Sequence, residues 1–239
     1  MIIRPDPEDE SLLFMTQPDH ARLAADLLAR WTADGFGDHP RREALLLAAR
    51  EHDNGWREVD DGPAYDAVSG TALDFMTVPD DVKQSLWPRT IDRIAEVSAY
   101  AAALVAQHAI SIYDTHGQQS SWQLFFNDMA ARRDRLLAST DHSGRELQED
   151  YRFLSVVDLL SLSFCNAWSD ERERFGCRVR YAGEGIDVTP APFHDLVLLR
   201  IRARRLPNRR YASTADLRAT YEDAPPELIE GLARGGSGS

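Results

Sequence analysis

Residues 152–165 read RFLSVVDLLSLSFC, an apolar stretch interrupted by one acid, Asp158. On a helix Leu154, Val157, Leu162 and Cys165 would surround that carboxylate, so the spacing predicts a helix over 150–168 that is apolar nearly all round. An ionised carboxylate in such surroundings is costly unless it is paired, hydrogen-bonded or bound to a cation. Asp158 therefore needs a partner from elsewhere in the chain.

Three other helical faces offer one. Pro18 sits at a helix start, and His20, Ala24, Leu27, Leu28 and Trp31 follow one face over 18–31. A second helix after Pro40 presents Leu45, Ala48, Ala49 and His52 before Gly55 interrupts it, with Asp53 directly behind His52. A third is expected over 90–113, with Ile91, Ile94, Ala101, Val105 and His108 facing inward. A single histidine on an apolar face is more often a hydrogen-bonded core residue. Four such groups plus Asp53 are explained together by a shared ion. Imidazole and carboxylate without thiolate suit one or two divalent transition metals such as Fe, Mn or Zn. The expected ligands are His20, His52, Asp53, His108 and Asp158.

This order, a first His, an adjacent His-Asp pair ending another helix and a distant Asp on a later one, resembles the HD-domain superfamily. The strings TQPDHARLAADLLARW and AAREHDNGW look like those of an uncharacterised bacterial HD-like family, and the likeness extends to the later PAPF and LPNRRY stretches. The resemblance implies a helical metal-binding domain in which the metal polarises a substrate oxygen and lowers the pKa of bound water. Most characterised relatives are phosphohydrolases. It thus implies hydrolysis of a small phosphate ester or nucleotide-like substrate by hydroxide on the metal. Other relatives hold two irons through extra histidines and oxygenate a small polar substrate, and a non-catalytic regulatory role is a third class. His108 suits one extra position; His116 and His142 read as loop residues.

Gln17 and Asn54 flank the expected ligands and could orient them or meet substrate. Trp56 could wall a pocket, and Arg57, Lys83 and Arg89 are candidates for a substrate anion. Against this, most such charges are solvated. His39 beside Pro40 reads as exposed and His194 as structural. Glu51 is turned about 100 degrees from His52 and is a poor general base. No Gly-rich phosphate loop, G-x-S-x-G elbow or HExxH helix is present.

The fold class expected is mainly α: an HD-like helical bundle over residues 1–175, carrying a small antiparallel β and short-helix extension over 176–234. A strand over 11–16, an irregular stretch over 54–87 and an amphipathic helix over 120–138 are expected. Short β runs follow at 178–181, 186–189 and 196–203, with tail helices over 213–221 and 226–233. Residues 235–239, GGSGS, have the composition of a flexible linker. At 239 residues the chain can bury a sizeable core. Its net charge of -12 argues against a nucleic-acid face, although residues 200–210 are locally basic. Two cysteines without zinc spacing fit a reducing, cytoplasmic setting. A small-molecule partner is expected, no membrane, and self-association is left open.

Overall fold

The computed structural model describes residues 1–6 and 9–235. Six helices build the layer that carries the histidines: α1 Gln17–Ala29, α2 Arg42–Glu51, α3 Asp80–Ala95, α4 Ala99–Ile112, α5 Ser120–Ala138 and α6 Gly144–Cys165. A seventh, α7 Thr214–Asp223, follows Ser213, whose side chain accepts from the Asp216 N–H as a cap. The strands are β1 Ile2–Pro5, β2 Ser11–Met15, β3 Ala64–Asp66, β4 Thr71–Leu73, β5 Arg172–Arg174, β6 Cys177–Ala182, β7 Gly185–Thr189, β8 Val197–Pro207 and β9 Pro226–Gly235.

The sheet corrects the expectation of a helical bundle with a small antiparallel appendage. Seven strands form one sheet in the order β1-β2-β8-β9-β7-β6-β5, and β7 pairs with β9 in parallel while the other neighbours are antiparallel. N-terminal strands thus share a sheet with strands from beyond residue 172. β9 is the decisive element, because residues 226–233 were expected to be a helix. Without it β8 and β7 would face each other across a gap with unpaired backbone groups, and filling that gap outweighs the helical leaning of Leu and Ala. Gly185 and Gly231 make the pairing feasible. A Cβ on Gly185 would lie 1.9 Å from the Leu232 carbonyl oxygen, and one on Gly231 would lie 2.4 Å from that of Glu184. Gly235 also belongs to this strand, opposite Val188; the rest of the expected linker, residues 236–239, lies outside the described residues.

The expected helix over 90–113 is two helices. α3 starts ten residues earlier than expected and runs through Pro88. The chain then turns at Val97, and Ser98 restarts α4 by accepting from the Ala101 N–H. The segment expected to be irregular accordingly holds a short hairpin, β3 with β4, and the first half of α3. α6 also begins earlier, at Gly144, where Ser143 and Glu146 form a reciprocal capping box.

α4 lies at the centre of the helical layer, against α2, α3, α5 and α6. Its small residues, Ala101, Ala102, Ala103 and Ala106, are fully buried and let neighbours close in on every side. α6 packs on α1 and α2 and on β5, β6 and β7, while α1 also meets β8. The Arg4 guanidinium donates to the Phe164 carbonyl at 2.9 Å, tying β1 to the carbonyl end of α6. The sheet thereby braces the two helices that carry His20 and Asp158.

Candidate metal centre

α1, the end of α2 and α6 bring His20, His52, Asp53 and Asp158 together. The two Nε2 atoms are 3.2 Å apart. Asp158 Oδ1 lies 3.1 Å from His20 Nε2 and 3.4 Å from His52 Nε2. Asp53 Oδ2 lies 3.5 and 3.6 Å from the same two atoms. All four residues are buried, the imidazoles at 0% and 1% exposure.

The outer nitrogens fix what the inner ones offer. His52 Nδ1 is 2.8 Å from the Ala49 carbonyl oxygen, which can only accept, so Nδ1 carries the proton of a neutral ring. Ser161, one turn beyond Asp158 on α6, donates to the Asp158 carbonyl at 3.0 Å, and its oxygen, 2.8 Å from His20 Nδ1, accepts from that ring. Both neutral imidazoles therefore present bare Nε2 lone pairs to each other and to two carboxylates. That arrangement demands a cation, either a proton or a metal ion. Burial opposes charging of His20, but hydrogen bonding to Asp158 and then Asp53 outweighs it and holds its pKa well above the ordinary imidazole value. His52 is raised as well, against its burial, chiefly by the charge of Asp53. Burial pushes Asp158 up, yet the two histidines bring it well below the ordinary carboxylate value, and Asp53 is lowered likewise.

The spacing fits a divalent ion. Ligands about 2.1 Å from a metal stand roughly 3.0 Å apart in an octahedral and 3.4 Å apart in a tetrahedral arrangement. Among the described residues, His20, His52 and Asp158 offer ligand atoms all within 4.8 Å of one another. His108 on α4 stands farther back, with Nε2 3.9 Å from Asp158 Oδ2, the oxygen not used by the other pair. Its Nδ1 is 3.2 Å from the Tyr151 hydroxyl, and burial lowers its pKa to about 4. His108 is thus neutral at physiological pH.

A cavity of about 300 Å³ reaches this cluster through Asp53, His108 and Asp158, which line it, while His20 and His52 lie behind them. Of the substrate candidates, Gln17, Trp56 and Lys83 line it. Asn54 and Arg57 do not: they border a separate groove beside Glu51 and Arg93, and the Asn54 amide donates to Glu51. Arg89 is exposed and paired with Glu58. His116, expected as a loop residue, lines the cavity, turned inward on a short helical turn where its ring meets Trp122 and Tyr113. Ser161 was overlooked, although its i+3 spacing from Asp158 was visible in the sequence. His39 is half-buried, 3.2 Å from Asp150 Oδ1. His194 is exposed. A larger cavity, about 610 Å³, lies between Arg41, Arg50, Tyr100 and His142 and includes no member of the cluster.

Two imidazoles and two carboxylates converging beside an apolar-walled cavity define a candidate divalent-metal protein. Residues 1–208 match a family described as "Protein of unknown function (DUF3891)", and the chain belongs to that family. No curated protein and no solved structure matches it. Among the described residues, no helix is long and apolar enough to cross a membrane.

Proposed function

We propose that the chain is a metal-dependent hydrolase of the HD type, acting on a small phosphate ester. The observation that carries this reading is the facing pair of Nε2 lone pairs, 3.2 Å apart and flanked by two carboxylates. His20, His52, Asp53 and Asp158 would hold the ion, in the same chain order as the superfamily the sequence resembles. A divalent ion bound there supplies Lewis acidity toward a phosphoryl oxygen and makes water acidic near neutral pH. Ser161 and the Ala49 carbonyl orient the two imidazoles. The apolar walls contributed by Trp56, Phe75 and Leu162 limit bulk water around the reacting group.

His108 favours a second reading, an HD-type oxygenase with two irons. It is neutral and faces the free oxygen of Asp158 at 3.9 Å, where a second ion could gather ligands. The two readings separate in one experiment. Chelated protein resupplied with Mn, Zn or Fe is assayed for phosphate release from small phosphate esters and, with Fe, for dioxygen uptake. Metal-dependent phosphate release that falls at least ~100-fold in Asp158→Ala is expected. Dioxygen uptake without phosphate release would transfer the assignment to the oxygenase, and release unaffected by Asp158→Ala would refute a role for this centre.

A further inference from the structure

Gln17 and Lys83, on the wall of the cavity above the cluster, have hydrogen-bonding capacity that the protein leaves unused. Gln17 is 2% exposed, and its Oε1 is buried with no hydrogen-bond partner. Its backbone N–H is committed to Asp60 Oδ2 at 2.7 Å, which fixes the residue at the start of α1. A buried amide oxygen without a donor destabilises a fold, so a cavity that retains one has a use for a donor.

Lys83 is 9% exposed. Its ammonium donates to the Met76 carbonyl at 2.8 Å, while Asp80 Oδ1 at 3.6 Å is beyond hydrogen-bonding distance. The other Asp80 oxygen is occupied by the Trp122 indole N–H at 3.0 Å. At least one ammonium proton and much of the charge therefore remain available to an anion. Lys83 is also the single lysine in a chain whose other cationic side chains are arginines.

The cavity, about 300 Å³, is in the range that takes a small organic ligand. With one fixed cation already in so small a space, the donor meeting Gln17 is better neutral than charged. We infer that the substrate is a short hydroxylated anion, its anionic group held by Lys83 and one hydroxyl donating to Gln17 Oε1. This rests on the proposed reading only for the placement of the reacting group beside the metal ligands.

The test is calorimetric titration of the full chain, zinc-loaded and chelated, with glycerol 3-phosphate and propyl phosphate. Glycerol 3-phosphate is expected to bind about ten-fold tighter than propyl phosphate, the ratio one well-made hydrogen bond supplies. Gln17→Leu should erase the preference over propyl phosphate while leaving the melting temperature unchanged or higher, which a structural glutamine would not do. Lys83→Met should weaken both small phosphates about ten-fold or more. Equal binding of glycerol and propyl phosphates or a destabilised Gln17→Leu would each overturn the inference. Selectivity that persists in a chain unable to load zinc would sustain it while removing the metal reading; zinc loading without selectivity would do the reverse.

Discussion

Ser161 contributes no ligand atom, yet it decides what His20 can be. By donating to the Asp158 carbonyl and accepting from His20 Nδ1, it holds the ring as the tautomer whose Nε2 faces the cluster. Ser161→Ala is expected to lower metal affinity about 10- to 100-fold while the fold persists, measured by competition with a chelating dye. Unchanged affinity would mean that the ring orients itself. The pH response distinguishes the ion from the proton that replaces it. In chelated protein Asp53 and Asp158 have depressed values, so their stabilisation is present above the ordinary 3.8 and is lost as pH falls through the lower folded values. His20 and His52 have raised values, so theirs is complete below the ordinary 6.5 and is lost as pH rises through the folded values. Chelated protein should therefore melt lower as pH is raised from 6 toward 9. Metal-loaded protein should hold or gain stability over that range, because binding needs the rings deprotonated. Parallel behaviour of the two forms in thermal scans would count against metal binding here.

Elements deliver these residues to one point, and Gly55 shows how tightly. The short turn after Asp53 lies against α3 so closely that a Cβ on Gly55 would stand 2.3 Å from Thr90 Oγ1 and 2.7 Å from the Leu86 carbonyl oxygen. Gly55→Ala is expected to cost about 1–3 kcal/mol in urea unfolding and to reduce metal content through displacement of Asp53. A variant with wild-type stability would show that the turn has slack. The helical faces carrying His20, His52, His108 and Asp158 were legible because 3.6-residue periodicity is a local property. Their neighbours were less so. The break before α4 was marked only by Ser98 as a cap, within a run apolar enough to read as continuous helix. His116 looked like a loop residue because its inward turn depends on Trp122, on the following helix.

At the scale of the whole molecule, the sheet was the feature least visible in the sequence. β9 is held between β8 and β7 by partners 22 to 47 residues away, and nothing local in PELIEGLARG announces that slot. The family match ends at residue 208, before this strand begins. A chain ending at 208 would leave β8 and β7 unpaired on facing edges, directly beneath α1 and α6. Such a truncation is expected to be insoluble or to lose its cooperative thermal transition, and a soluble, cooperatively melting product would contradict the bracing role assigned to the sheet. The sheet thus bears on the candidate metal centre, since it packs on the helices that set His20 opposite Asp158.

The most direct measurement is metal content by elemental analysis of protein purified without chelator or metal-affinity resin, beside His52→Ala and Asp158→Ala. One or two equivalents of a divalent transition metal in the wild type, falling to background in both variants that remain folded, is the predicted result. No metal in the wild type even after supplementation, or full metal in either variant, would contradict the account and leave His20, His52 and the two aspartates as a proton-bridged core cluster.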